Sequence, residues 1–510
     1  MRLLGTFNGW RTRTPKPTPS RDTGALTVPD LLDARADARA DHAPLRLPSG
    51  ARLTYGAWRA RSGSAALGLY QNGLRIGARV ALIFDGLDWL NYAVAYMAVL
   101  RCGATAIHMN GHMPDAEIQR RLAECDCSTL IRSRFVAPPR GFSGQHFTID
   151  DLLRGDESLS ATPIAPDSIA EIRYTSGTTG AAKGYLVSHD NLTFGRTLDS
   201  MQALSGASGM LVPMTLGTST SATLLVIALT STAPMLLCSP LDIESMGELI
   251  ERERITAFMI TPRVAQEIVE ARLGERHDLG SVRLVASASS PLSPSMAASM
   301  LAMMPNATLQ IACAQSEASP ALLTHTYTKD RPFSVGRPSP ATEIRVVGPD
   351  LSDAADGELG ELWLRTAAPK RLFLTAPDVN ALLRKDGWYR TGDLVRRDPS
   401  GEIEFFDRKA DALVRDGQLI SSIHMEATLM NDANVREAAV VSVDRGAEPA
   451  QIVAFVALRD PNALQAVKGA LSNAVPPAQF PDAFVVVSAL PRTQNGKVLK
   501  RELRLNVGIR

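Results

Sequence analysis

Short apolar runs alternate with helically spaced apolar positions over most of this chain. Residues 28–40 and 55–70 carry the helical spacing, the second closed by Asn72-Gly73, and 52–55 reads as a short strand between them. A compact apolar strand follows at 79–84, then a helix at 89–101 ended by Gly103, then a strand at 104–108. The alternation continues with a helix at 115–124 and strands at 128–131 and 147–149. Further on, the pattern predicts a long helix at 192–203 and strands at 210–213, 255–261 and 281–286. Strands that alternate with helices imply an α/β fold with largely parallel sheets covered on both faces. The longest apolar stretch, 222–238, is interrupted by Thr223, Thr230, Ser231, Thr232 and Pro234. It is too short to span a bilayer and reads as a buried core element.

With 510 residues the chain exceeds one ordinary core, which predicts two or more domains. Lys and Arg number 54 against 53 Asp and Glu, so no electrostatic case exists for nucleic acid or an anionic membrane as partner. The five cysteines are few for this length, and Cys125-Asp-Cys127 lacks the two-residue gap of common zinc sites. They read as core or surface thiols in a reducing compartment. Residues 1–26 are rich in Pro, Thr and Arg without an apolar h-region, and read as a flexible leader rather than a signal or anchor. The expectation is a soluble, cytoplasmic protein with no membrane span.

The chemistry begins at Tyr174-Thr-Ser-Gly-Thr-Thr-Gly-Ala-Ala-Lys-Gly184, behind an apolar run and ahead of a helix-like segment opening near Ser188. Seven of these eleven residues are Gly, Ser or Thr. Glycines let the backbone approach a ligand closely, and successive N–H groups with hydroxyls form a concavity for anions. Lys183 adds a mobile positive charge suited to a phosphate chain. A bare flexible linker would need neither the apolar run nor the lysine. Ala182 before Lys183 excludes the Walker pattern.

The segment resembles the signature loop of the adenylate-forming superfamily: acyl-CoA synthetases, luciferases and peptide-synthetase adenylation domains. Ala182 replaces that loop's usual proline. Four further segments match in order: Cys313-Ala-Gln-Ser-Glu317, Asp386-Gly-Trp-Tyr-Arg-Thr-Gly-Asp393, Gly401-Glu-Ile-Glu-Phe-Phe-Asp-Arg408 and Leu490-Pro-Arg-Thr-Gln-Asn-Gly-Lys497. The resemblance spans about residues 30–508. It implies a large AMP-binding domain at 27–407 and a small, mobile C-terminal α/β lid at 408–510. The implied cofactors are ATP and Mg²⁺, with coenzyme A as co-substrate.

The family's roles carry over residue by residue. Thr175, Ser176, Gly177, Thr178, Thr179, Gly180 and Lys183 would cradle the phosphates, and Ser316 would lie beside the nucleotide. Glu317, with Thr178, would hold Mg²⁺, since a carboxylate near polyphosphate needs a hard cation between them. Asp393, expected at a turn, would accept from both ribose hydroxyls, and Arg408 would reach the ribose and phosphates. Lys497 would bridge the attacking carboxylate and the α-phosphate, stabilising charge that grows in the transition state. Thr215, Leu216 and Gly217 fall where relatives line the acid pocket; Ser289 stands in the turn beside the adenine, and Cys313 replaces the tyrosine against its face. The Ser and Thr residues after Gly217 suit a polar pocket or a helix cap equally. Ala410 stands where the hinge acid is usual.

The implied reaction is attack of a carboxylate on ATP to give an acyl-adenylate and pyrophosphate, then transfer to a thiol, foremost that of coenzyme A. No Asp or Glu lies between Asp199 and Asp242, which argues against an α-amino acid. Departures cluster around the acid and adenine sites. They leave open another acceptor or oxyanion: a carrier-protein thiol, an amine, or nitrite in diazotisation of an aryl amine. A nucleotide-binding pseudoenzyme scaffold is the non-enzymatic alternative, and retention of both Glu317 and Lys497 argues against it.

Overall fold

The computed structural model describes residues 26–175, 182–196, 208–231, 233–375, 377–445, 448–493 and 496–506. The expected α/β architecture is present as two large mixed sheets and a separate C-terminal sheet. The first sheet runs in the order Leu372–Phe373, Gly184–Ser188, Ile169–Tyr174, Thr105–Asn110, Arg79–Phe84, Thr129–Arg132, Gln145–Phe147. Its middle and far strands are parallel, while Gly184–Ser188 pairs antiparallel on both sides. The Trp89–Arg101 helix is buried nearly all round, as its run of apolar residues requires, and lies in the largest core.

The second sheet has a parallel block built from Met235–Cys238, Met210–Pro213, Ala257–Ile260, Leu284–Ser287 and Thr308–Cys313. It continues as an antiparallel half that includes Leu359–Arg365, Trp388–Arg397 and Ile403–Arg408. After Arg408 the chain builds separate cores on the strands Val435–Arg445, Glu448–Leu458 and Ala483–Val486, covered by the helices Ser422–Leu429 and Leu464–Ala474. Among the described residues no helix is long and apolar enough to cross a membrane.

Several local expectations change. The helix expected to open near Ser188 is present as His189–Thr193, and the strand Gly184–Ser188, antiparallel to Ile169–Tyr174, comes before it. The helix expected at 192–203 already stops at Thr193: the chain turns at Phe194 and Gly195, the latter with φ 64°, and 197–207 lies outside the described residues. The stretch 222–238 is two elements, the helix Ser219–Thr230 and the strand Met235–Cys238, both packed into the core. The strand expected at 147–149 is Gln145–Phe147; Thr148 and Asp151 form a capping box that starts a helix at Ile149. Cys125 and Cys127 are both buried, and all five cysteines are free.

Candidate active site

The base of the Gly/Ser/Thr loop is closed by Thr175 and Lys183. The Thr175 N–H donates to the Lys183 carbonyl at 3.0 Å, and the Lys183 N–H donates to Thr175 Oγ1 at 3.1 Å. Lys183 is exposed, its ammonium 6.0 Å from the Phe373 ring centre. Ser176, Gly177, Thr178, Thr179 and Gly180, with their expected phosphate and metal contacts, lie outside the described residues.

Beneath this base lies a buried charge network. Glu171 and Arg173 occupy alternate positions of Ile169–Tyr174 and are ion-paired with both side chains fully buried. Arg173 Nη1 also donates to the Ser219 carbonyl at 3.2 Å and to Thr223 Oγ1 at 2.6 Å, while Ser219 Oγ donates to the Tyr174 carbonyl. Tyr96 donates to Glu171 at 2.5 Å, and the Tyr92 hydroxyl meets His108 Nδ1 at 2.7 Å. Burial alone would raise the Glu171 carboxyl; Arg173 and then His108 overcome this and hold it well below the usual range. Burial keeps His108 below the ordinary histidine range. The network ties the strand that feeds the loop to the first turn of Ser219–Thr230.

That first turn answers the question left open by the Ser/Thr run. Thr218 and Ser221 form a capping box, and Ser219 and Thr223 serve the network, so these hydroxyls are engaged in structure. Thr215 is half-buried, but Leu216 is wholly enclosed in the largest core. Gly217 has φ 71°, and a Cβ there would stand 2.1 Å from the Met109 carbonyl oxygen, so only glycine fits. In the turn after Leu284–Ser287, Ser289 itself takes φ 84°, the backbone that a glycine adopts without strain.

The Thr391-Gly392-Asp393 segment is an irregularity inside the strand Trp388–Arg397, not the turn expected from sequence. Thr391 Oγ1 donates to the Leu362 carbonyl at 2.6 Å and accepts the Asp393 N–H at 3.0 Å. Gly392, at φ 70°, bends the strand there, and the Lys409 N–H bonds its carbonyl. Asp393 lies across from Arg408 in the antiparallel register. Arg408 Nε stands 2.7 Å from Asp393 Oδ1 as a charge contact, and this oxygen has no hydrogen-bond donor among the described residues. Asp393 Oδ2 accepts from Gln315 Nε2 at 2.7 Å, and the same amide bonds the Thr391 carbonyl at 3.0 Å.

Gln315 is buried, and it is a residue that sequence reasoning passed over, because the matched motif leaves its position free. Replacing it with leucine leaves a carboxylate oxygen buried without its donor. KM for ATP is expected to rise about tenfold in Gln315→Leu with kcat nearly unchanged, read from initial rates at varied ATP. An unchanged KM would show that Gln315 only fills space.

Cys313 closes the Thr308–Cys313 strand, and burial, then Asp393, pushes its thiol up to about 12, so it stays protonated. Ser316 is exposed and Glu317 half-buried. Their segment is held by Arg371, whose Nη1 donates to the Ser316 carbonyl at 2.6 Å and whose Nε bonds Asn191 Oδ1 at 2.8 Å. Asn191 in turn donates to the Ser319 and Pro369 carbonyls. Arg371 and Asn191 were also missed from sequence.

Lys497 stands on a tight turn. The Gly496 N–H bonds the Thr493 carbonyl at 2.9 Å, and the Lys497 N–H bonds Thr493 Oγ1 at 3.2 Å. This turn projects from the C-terminal unit into the site just described. Burial lowers the Lys497 ammonium first; Arg408 lowers it further, while Glu317, Asp393 and Cys313 act against the fall. Lys497 thus lies within electrostatic reach of four other sequence-predicted residues: Cys313, Glu317, Asp393 and Arg408.

The chain belongs to the AMP-binding enzyme family: the family's main model matches residues 32–371 and its C-terminal domain model residues 424–497. A 4-coumarate–CoA ligase of Oryza sativa subsp. japonica is 26% identical over 515 residues, covering 94% of each chain. A 3-hydroxybenzoate–CoA ligase of Aromatoleum sp. (strain CIB) is 26% identical over 512 residues, covering 93% of this chain and 95% of its own. The solved structure of an anthranilate CoA ligase in complex with anthranoyl-AMP has the same fold, with a TM-score of 0.85 at 20% identity, over 94% of this chain and 97% of that one.

Proposed function

We propose that this protein activates an aromatic carboxylic acid with ATP and passes the acyl group to coenzyme A. The observation that carries the reading is the electrostatic convergence of Lys497 with Glu317, Asp393 and Arg408. A carboxylate oxygen attacks the α-phosphorus, the bond to the β-phosphate oxygen breaks, and pyrophosphate leaves. The coenzyme A sulfur, having lost its proton, then attacks the acyl carbon, and AMP departs. The aromatic class rests on the named substrates of the relatives.

Each residue has a physical task in that scheme. Oδ1 of Asp393, ion-paired with Arg408 but accepting no hydrogen bond among the described residues, offers an acceptor to a ribose hydroxyl, with Arg408 beside it for the α-phosphate. Lys497 neutralises charge on the attacking and phosphoryl oxygens, which is how such displacements are accelerated. Glu317 together with the substrate phosphates would hold Mg²⁺, where it would neutralise polyphosphate charge. The free cysteines fit a cytoplasmic site of action. The hinge would lie at 407–408, where the large sheet ends.

The test is pyrophosphate release with ATP and Mg²⁺ across aryl, fatty and short acids, with and without coenzyme A. An aryl acid that drives release and yields a thioester supports the reading. Release indifferent to coenzyme A, or driven by nitrite with an aminoaryl acid, would replace it.

Lys497 must be protonated to act, and its charge is complete below its lowered pKa and lost as pH rises through it. The alkaline limb of kcat/KM for ATP is therefore expected below the ordinary lysine value of 10.5. Lys497→Arg should slow turnover and move that limb upward. An identical limb in both enzymes would assign it to another group.

A further inference from the structure

The C-terminal unit meets the large one near the hinge, where Ser421 and Ser422 bond Phe406 and Asp407 and His424 packs on Phe333. It meets it again along the Pro262–Glu270 helix, where one residue reaches both its buried charge and its lysine turn. Arg263 opens the helix Pro262–Glu270, whose start is fixed by the Thr261 cap and by Pro262 in the first turn. Arg263 Nη1 lies 3.0 Å from Glu437 Oε1, and Glu437 is 3% exposed. Glu437 Oε2 accepts the Leu490 N–H at 3.0 Å and faces Arg492 Nη2 at 3.3 Å. Arg492 Nη1 donates to the Gly496 carbonyl at 2.7 Å, immediately before Lys497.

The stem of Arg263 meets the same turn directly. Gly496 has φ 80°, and a Cβ there would come 2.6 Å from Arg263 Cβ. So the arginine's head binds the carboxylate that organises the turn, and its stem lies against the turn's glycine. The other hydrogen bonds and ion pairs along this face are looser: Gln266 Nε2 to the Arg436 carbonyl at 3.1 Å, Ser295 Oγ to the Met430 carbonyl at 3.4 Å, and Arg459 to Glu270 at 3.6 Å. Arg263 also pairs with Glu267 on its own helix, which orients the guanidinium.

We infer that Arg263 is a positioning residue: it latches the C-terminal unit so that Lys497 is held near Glu317, Asp393 and Arg408, and thereby serves adenylate formation, the step in which Lys497 acts, rather than thiol transfer. The inference rests on the proposed two-step reaction. Arg263 touches none of the reacting groups, and its effect passes through Glu437 and Gly496. Without it, Glu437 keeps Arg492 and the Leu490 amide, so the C-terminal unit retains its own fold while its docking weakens. A part-buried charge pair of this kind is worth about tenfold or more in a docking equilibrium.

The experiment measures the two half-reactions separately in the full-length enzyme. Single-turnover pyrophosphate release reports the first; thioester formation from synthetic 4-coumaroyl- or benzoyl-adenylate with coenzyme A reports the second. Arg263→Ala should slow the first about tenfold or more and leave the second unchanged or faster. Arg263→Lys should restore part of the first. Equal losses in both half-reactions, or no loss in the first, would overturn the latch. Wild-type enzyme inert in both assays would overturn the proposed reaction instead, before any variant is compared.

Discussion

Replacing Lys497 with alanine is expected to cut acyl-adenylate formation by about 10²–10³-fold, the scale seen when one preorganised electrostatic group is lost. The lysine stands on a turn closed by Thr493 and Gly496, is half-buried, and interacts electrostatically with Glu317, Asp393 and Arg408. A positive charge in such surroundings acts more strongly than in water. It also needs no reorganisation as negative charge builds on the phosphoryl oxygens. Nucleotide affinity should change little, because Asp393, the proposed ribose acceptor, and its partners Gln315 and Arg408 stay in place. Rapid-quench detection of the adenylate beside equilibrium ATP binding separates the two effects. Full adenylate formation by the variant would mean that Lys497 is not the catalytic lysine.

Arg173→Met should be the most damaging single change to stability, costing about 3–5 kcal/mol. The substitution leaves Glu171 buried with its main counter-charge gone, and it removes one hydrogen bond each from the Ser219 carbonyl and the Thr223 hydroxyl. The loop should suffer as well, since the same guanidinium ties Ile169–Tyr174 to the Ser219–Thr230 helix. Urea or thermal midpoints check the size of the loss. A partner test uses Glu171→Gln with Arg173→Met: the double variant should recover part of the loss, because no isolated charge stays buried. If Arg173→Met costs less than about 1 kcal/mol, the pair is not holding the loop's base.

The two predictions differ in how far sequence could anticipate them. Lys497 sits in a contiguous pattern whose turn chemistry is written in adjacent residues, Thr493 and Gly496 included. Thr391-Gly392-Asp393 was legible for the same reason, although the strand irregularity that presents Asp393 was not. The Glu171–Arg173 network was hidden, because its partners Tyr96, Ser219 and Thr223 lie tens of residues away and no local spacing encodes them. Gln315 was hidden likewise, since its meaning depends on Asp393, 78 residues further on.

Element type was legible where periodicity was unambiguous, as in the Arg79–Phe84 strand and Trp89–Arg101 helix. It failed past Thr193, where the helix expected over 192–203 ends in a turn at Phe194 and Gly195. Pocket positions fared differently from motif positions. Leu216 aligns with a pocket residue of relatives yet is enclosed by core, and the hydroxyls beyond it cap a helix.

The most direct test of the account is mass-spectrometric detection of the intermediate in enzyme supplied with ATP, Mg²⁺ and an aryl acid but no coenzyme A. The account predicts an enzyme-held acyl-adenylate in near-stoichiometric amount, converted to acyl-CoA and AMP when coenzyme A is added. Thioester formation with ADP and phosphate as products, or ATP bound with no adenylate from any acid, would contradict it.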